Sequence, residues 1–337
     1  MDSPDPSPVI ELIEAFRRSK AMFVAVSLGI FDALEQAPHN VERLAKQLRV
    51  ESEPLERLLN TCVALHLLRR SQNLYENEPI ASTYLCRGSQ KTLSGYVLYS
   101  NEVLFRLWTF MEDALREGTP RWKQAFGAEG AIFDHFYRTD ESKQDFLQGM
   151  HGLGLLSSPK VVEAFDLSGF RQLVDLGGAT GHLAIAACER NPDLHAVIFD
   201  LPQVIEAARQ YANRSAVGDR VEVKAGDFFE DDLPEADLFA MGRIVHDWAE
   251  AKIKPLFAKI YRRLPAGGGI LLAEKLLLED KTGPLSAELQ SLNMLLCTHG
   301  KERTLTEYRR LLEEAGFRSV RGHRTESPLD AVLAIKP

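Results

Sequence analysis

Paired cysteines are absent from this sequence: its four, Cys62, Cys86, Cys188 and Cys297, are scattered, and no CxxC pair opens a zinc site or a redox dithiol. Thiols spaced in this way suggest a reducing compartment. An excess of basic charge is absent as well. The 40 Lys and Arg stand against 48 Asp and Glu, and the formal net charge of −8 repels phosphate backbones and anionic lipid alike. Neither nucleic acid nor membrane is therefore an expected partner. No apolar run approaches the ~18 residues that a membrane-spanning helix requires. The opening MDSPDPSPV carries neither a basic segment nor the apolar stretch of a secretory leader, so a cytoplasmic protein is expected. What is present is ordinary globular usage, 45% hydrophobic and 26% charged residues over 337 positions, which rules out whole-chain disorder. That length suggests roughly two domains.

Strand-like runs are also nearly absent up to about Pro159, where apolar residues recur at helical spacing, as in Ile10, Ile13 and Phe16, then Met22, Phe23, Val26, Ile30 and Leu34. Asn40 precedes a short helix. Ser52 to Leu68 reads as a second, with Leu55, Leu58, Leu59, Cys62 and Val63 on one face, and a polar turn around Ser71 to Asn73 leads into Leu74 to Glu78. Helix, turn, helix, hairpin is the order of a winged helix, which reads DNA in some proteins and pairs subunits in others. The second helix offers Glu53, Glu56, Arg57 and Asn60 where a groove-binding helix needs a basic row, so pairing is the expectation. More apolar helix face is present than one small domain can bury, which also points to a homodimer.

After Pro159 the pattern becomes strand and helix in alternation. Apolar runs at Leu173–Leu176, Ala196–Leu201, Val221–Ala225, Leu238–Ile244 and Ile270–Ala273 are separated by helical stretches at His182–Arg190, Gln203–Asn213 and Asp247–Leu264. Near-continuous apolar strands between helices predict a doubly wound α/β domain around a mostly parallel sheet. Ser319–Gly322 and Ala331–Ile335 lie close enough for the last strand to pair antiparallel with its predecessor. The division expected is 1–159, helical, and 160–337, ligand-binding.

Ligands of such sheets sit outside the carboxyl ends of the strands. The first such end reads VDLGGATGH, where Gly177, Gly178 and Gly181 permit close backbone approach. A plain tight turn, NAD, FAD and S-adenosylmethionine all fit this turn. The G-G-x-x-G register departs from the G-x-G-x-x-G that cradles a pyrophosphate, which disfavours an NAD-linked reductase. Asp200 ends the second strand, 25 residues after Asp175, where its carboxylate either accepts ribose hydroxyls or caps a helix beginning near Pro202. In AGDFFEDDLP, Asp227 and Phe228 are placed to receive an adenine ring, whereas Phe229 reads as core.

VDLGGATG, VIFDLP, AGDFFEDDLPEADL, GRIVHDW and SLNMLLCTHGKERT, in this order, resemble the S-adenosylmethionine-dependent O-methyltransferases of the caffeate and hydroxyindole type, over nearly the whole chain. The resemblance implies a seven-stranded class I methyltransferase domain behind a winged-helix dimerisation domain. It places the donor's ribose on Asp200, beside Leu201, and its adenosine on Gly226, Asp227 and Phe228. Gly177, Arg243 and Tyr137 complete the donor set. His246, directly after a strand, falls where the family keeps its general base, and Glu274 and Glu302 fall where it keeps two acids beside that histidine. Read without the resemblance, His246 is equally a histidine that caps or packs the next helix, and Glu302 an acid of the turn before the helix Thr304–Ala315. An imidazole near its ordinary pKa of about 6.5 is partly neutral at pH 7 and able to take a phenol's proton. No metal is implied.

The acceptor is expected to be a small aromatic hydroxyl compound, held by Phe105, Trp108, Phe146 and Met150 with Asn293, Met294 and Cys297. Asp247 and Asn293 match polar acceptor contacts of the hydroxyindole branch, but Cys297 stands where that branch carries glutamine, and a thiol does not donate and accept as an amide does. Ala179 replaces a loop glycine, a change tolerated at negative φ, and Gly154 removes a side chain that relatives keep near the donor. A donor-binding regulator without turnover is the alternative outside the enzymes.

Overall fold

The structure is a computed structural model that describes residues 3–127 and 139–337. The chain forms two compact units, Met1–Arg106 with Arg138–Gly152, and Leu107–Tyr137 with Leu153–Pro337. It crosses between them at three points, where the sequence reading draws one boundary at 159. The helix Asp140–Glu163 begins in the first unit and ends in the second.

In the first unit the helix Ser7–Ser27 is followed by helices Ile30–Glu35, Val41–Leu48 and Ser52–Ala64 and by a hairpin of β1 (Leu68–Ser71) and β2 (Leu74–Asn77). Local chemistry sets the joints. Gly29 takes a left-handed φ of 74° that a side chain would resist, and Asn40 Oδ1 accepts the Arg43 N–H at 3.0 Å as an N-cap. A further joint differs from expectation, since the helix from Ser52 stops at Ala64 and Leu68 opens the hairpin. Ile30, Phe31, Leu44, Leu55, Leu59 and Tyr75 close the core. On the first helix, Val9, Ile10, Leu12, Ile13 and Phe16 are 50% to 77% exposed.

The second unit is built on a seven-stranded sheet. Its strands are β3 (Gln172–Leu176), β4 (His195–Asp200), β5 (Val221–Ala225), β6 (Leu238–Gly242), β7 (Gly269–Glu274), β10 (Arg318–His323) and β11 (Asp330–Ile335), with a separate short pair, β8 (Leu276–Leu277) and β9 (Arg303–Thr304). The order is β10-β11-β7-β6-β3-β4-β5; the five from β7 to β5 run parallel, and β11 pairs antiparallel with both its neighbours. Alternation along each strand feeds two apolar layers. Phe239, Met241, Ile270 and Leu272 join Ile253, Phe257 and Leu311 on one side, and Leu238, Ala240, Leu271 and Ala273 join Leu183, Ala187 and Val161 on the other. This is the doubly wound arrangement expected.

Chain order reverses between β3 and β6, so the carboxyl ends of these neighbours open the switch point at which such sheets take ligands. β6 ends two residues earlier than expected, at Gly242, and the helix expected from Asp247 begins at Glu250; a 3₁₀ turn, Val245–Asp247, lies between. The cause is local. Arg243 adopts a left-handed φ of 56°, and the Glu274 carboxylate draws the Ile244 and Val245 N–H groups away from strand pairing. Among the described residues no helix is long and apolar enough to cross a membrane.

Candidate active site

The rim of the sheet is shaped by backbone that has no room for side chains. A Cβ on Gly177 would stand 2.5 Å from Ile244 Cδ1, and one on Gly226 would stand 2.2 Å from Phe199 Cζ. Ala179 departs from expectation: its φ is +50°, not negative. The Ala179 N–H donates to Asp200 Oδ2 at 2.7 Å, which holds the residue in that conformation. A left-handed residue with a Cβ is disfavoured by about 1 kcal/mol. Ala179→Gly is therefore expected to raise the unfolding free energy by about 1 kcal/mol in denaturant titration.

Asp200 ends β4 and is 8% exposed. Its Oδ1 accepts the Leu201 N–H at 2.7 Å and its Oδ2 the Ala179 N–H, leaving one further acceptor direction on each oxygen. The capping alternative is not realised, because the next helix, Ile205–Arg214, has Val204 as N-cap and no side-chain cap. Burial pushes Asp200 up to about 6 against the two N–H bonds. Nearby Asp175, buried under the glycine turn, is pushed up to about 7 by burial, with the Asp200 charge adding to it. Across the rim Arg243 Nε is buried without a hydrogen-bond partner. Spare carboxylate lone pairs, a bare backbone cradle and an unused guanidinium nitrogen fit a phosphate-free nucleoside that carries hydroxyls, an anionic group and a positive centre.

Asp227 caps its own turn: Oδ1 accepts the Phe229 N–H at 2.8 Å, and its N–H donates to Asp231 Oδ2 at 2.8 Å. The two phenylalanines exchange their expected burial. Phe228 lies in the core layer, with Cε1 3.4 Å from the Cβ position of Gly177, whereas Phe229 is half-buried between Phe228 and Trp248. Gly154 makes room for another ring, as a Cβ there would fall 2.2 Å from His182 Cγ; His182 Nδ1 pairs with Ser158 Oγ at 2.8 Å.

A buried polar cluster lies beyond β6. His246 is 4% exposed, and its Nδ1 donates to Glu302 Oε1 at 2.6 Å and stands 3.4 Å from Glu274 Oε2; Nε2 lies 3.7 Å from Asp247 Oδ1. With Nδ1 engaged by Glu302 and Glu274, Nε2 is the nitrogen left for proton exchange. Glu274 Oε1 is engaged by the N–H groups of Ile244, at 3.0 Å, and Val245, at 2.7 Å. Burial alone would lower the histidine's pKa. The charges of Glu302 and Glu274 and the hydrogen bond outweigh it, and His246 is pushed up to about 9, well above the ordinary value assumed from sequence. Burial raises Glu274 to about 7 and Asp247 to about 6. Farther along, Asn293 Oδ1 accepts from Trp108 Nε1 at 2.9 Å and from Cys297 Sγ at 3.7 Å, and Trp122 Nε1 donates to the Cys297 carbonyl at 2.8 Å. Phe105, Phe146 and Met150 belong to the first unit, where Phe105 lies under Lys20 Nζ and Phe146 meets Tyr99 edge to face. Tyr137 lies outside the described residues.

Residues 108–318 match the O-methyltransferase domain family, and residues 10–87 match the O-methyltransferase dimerisation domain. The chain belongs to the O-methyltransferase family. Among relatives of this methyltransferase, acetylserotonin O-methyltransferase from Bos taurus is 41% identical over 333 residues, 97% of this chain and 96% of the relative. A probable bifunctional dTTP/UTP pyrophosphatase/methyltransferase protein from Homo sapiens is 38% identical over 99% of this chain and 54% of its own length. The crystal structure of human N-acetylserotonin methyltransferase in complex with SAM superposes with a TM-score of 0.94 at 36% identity, covering 100% of this chain and 99% of that one. The family's methyl donor is S-adenosylmethionine.

In the methyltransferase, ligand atoms of His246, Glu274 and Glu302 lie within 4.8 Å of one another, close enough to surround a cation. The 2.6 Å contact between His246 and Glu302 is a hydrogen-bond distance, shorter than the separation of about 3.3 Å that two ligands hold on a tetrahedral zinc ion. Sequence reasoning passed over Arg303, buried beside Glu302. A signal was available: a cation directly ahead of a capped helix opposes the helix dipole and calls for another reason to be there.

Proposed function

We propose that this methyltransferase is a homodimer that transfers a methyl group to the hydroxyl of a small aromatic acceptor, with His246 as general base and no metal. Asp200 accepts hydrogen bonds from the donor's ribose. Leu201, Gly177, Gly226, Asp227 and Phe228 receive the adenosine, and Arg243 offers its free Nε to the donor's anionic end. When bound, S-adenosylmethionine supplies a sulfonium-activated methyl group. His246 Nε2 takes the acceptor's proton, Glu302 and Glu274 hold the ring by Nδ1, and the imidazolium that forms sits among three carboxylates that stabilise it. Asp247, Asn293 and Cys297 are the acceptor-side residues of the second unit. The pairing of His246 with Glu302 at 2.6 Å, on the rim that also carries Asp200, is the observation that supports this reading.

The test is a labelled-methyl assay over phenols, hydroxyindoles, quinols and hydroxylated polyketides. Transfer to at least one phenolic oxygen is expected. Binding of S-adenosylhomocysteine with no transfer across the panel would instead make the protein a donor-binding regulator.

The exposed stripe Val9, Ile10, Leu12, Ile13 and Phe16 lies on the first helix, largely within the matched dimerisation domain, and is the surface a second copy would cover. Leu12→Glu with Ile13→Glu is expected to shift sedimentation from dimer to monomer; a dimer undisturbed by both charges would place the interface elsewhere.

A further inference from the structure

We propose that Arg303 is the positioning residue of the His246 turn: its buried guanidinium clasps the backbone on both sides of the histidine and sets a fixed positive charge near the buried Glu274 and Glu302. The proposal rests on the reading of His246 as base.

Arg303 is 1% exposed and the largest of the fully buried side chains. A guanidinium withdrawn from water needs strong partners; the two Nη atoms of this one donate to backbone carbonyls, while its buried Nε has no hydrogen-bond partner. Nη1 donates to Val245 O at 3.1 Å and to Lys301 O at 3.1 Å, and Nη2 donates to Trp248 O at 2.9 Å. Val245 and Trp248 bracket His246 and Asp247, so one planar fork spans the 3₁₀ turn from end to end. A lysine, with a single ammonium on a flexible stem, lacks that geometry. The same segment fixes the ring as well as the backbone, because Glu302, one residue earlier, holds Nδ1. Gly300 shows how closely the segment lies against the turn: a Cβ there would fall 2.0 Å from His246 O.

The charge has a second consequence. Glu274, Glu302 and Asp247 surround His246, and the buried Tyr308, whose ring lies 6.0 Å from the guanidinium carbon, senses the charges of Glu274, Glu302 and Arg303 together. The Arg243 charge acts on Asp247. The fixed charge of Arg303 opposes the pull that Glu274 and Glu302 exert on the His246 proton. Without Arg303 the same carboxylates would hold that proton more tightly and return the base form later.

The experiment follows the His246 ring by ¹⁵N NMR in protein labelled at histidine and saturated with S-adenosylhomocysteine, with His246→Ala identifying the signal; no acceptor is needed. Arg303→Gln, which removes the charge, is expected to move the titration midpoint of His246 upward by about one pH unit or more. Arg303→Lys keeps the charge and loses the fork, and is expected to leave the midpoint near its original value while broadening the Nδ1–H signal. Affinity for S-adenosylhomocysteine should stay within about threefold in both, a change below 1 kcal/mol. An unchanged midpoint and line width in both variants would overturn the proposal. So would a loss of affinity in step with the ring signal, the mark of a residue that merely supports the fold. Failure of the base reading looks different: His246→Ala would still transfer methyl groups although the ring responds to Arg303.

Discussion

His246→Gln is expected to slow methyl transfer by about 10³-fold while leaving S-adenosylhomocysteine affinity within about threefold. Glutamine keeps a polar amide near the position of Nε2, but it has no nitrogen that takes a proton at neutral pH. His246→Ala should lose as much activity and also unfold at lower temperature, because Glu274, Glu302 and Asp247 would be left buried without the cation between them. Comparable turnover in wild type and His246→Gln would remove the base role. The pH profile is a separate check on the same residue. With His246 pushed up to about 9, the neutral form grows as pH rises through 9, so kcat/KM should still be climbing between pH 7 and 9, where a histidine at its ordinary 6.5 would have levelled off. A climb caused by the acceptor's own ionisation would move with the acceptor's pKa across a set of phenols; one set by His246 stays in place. Stability carries the opposite sign. A raised histidine pKa stabilises the fold fully below 6.5 and loses that contribution as pH rises through about 9, so the gap in melting temperature between wild type and His246→Gln should narrow over that interval.

What the sequence disclosed, and what it concealed, follows from how local each determinant is. The parallel sheet was legible because strands such as Phe239 to Met241 and Ile270 to Leu272 are buried on both faces and read as unbroken apolar runs. Asn40 and the hairpin's turn and second strand were legible from turn and cap chemistry within a few residues, whereas its first strand, opening at Leu68, reads as the end of the preceding helix. The turn at Val245–Asp247 was not, since its cause is the Glu274 carboxylate, thirty positions away, which takes N–H groups that a continuing strand would have used. The elevated pKa of His246 was hidden for the same reason: its neighbours come from β7 and from the segment before β9, brought together only by the sheet. Ala179 shows the converse failure, in which a local rule favouring negative φ yields to one hydrogen bond that its N–H donates to Asp200. Tyr137 is a donor residue by resemblance alone and lies outside the described residues.

Asp200→Ala is expected to weaken S-adenosylhomocysteine binding by about 100-fold, the loss of two charge-assisted hydrogen bonds to hydroxyls at roughly 1.5 kcal/mol each. The substitution also releases the Ala179 and Leu201 N–H groups, so part of any loss could come from a loosened loop. Asp200→Asn separates the two effects, because the amide oxygen can keep one N–H bond while the amide nitrogen no longer accepts. Titration separates them again. Asp200 is pushed up to about 6 by burial, so if its carboxylate accepts the ribose hydroxyls, wild-type affinity should decline as pH falls through 6 while the affinity of Asp200→Asn stays level. Calorimetry at pH 5, 6 and 7.5 reads both. Parallel behaviour of wild type and Asp200→Asn across that range would leave Asp200 as a strut for the glycine turn, and the ribose would have to be held by another part of the rim.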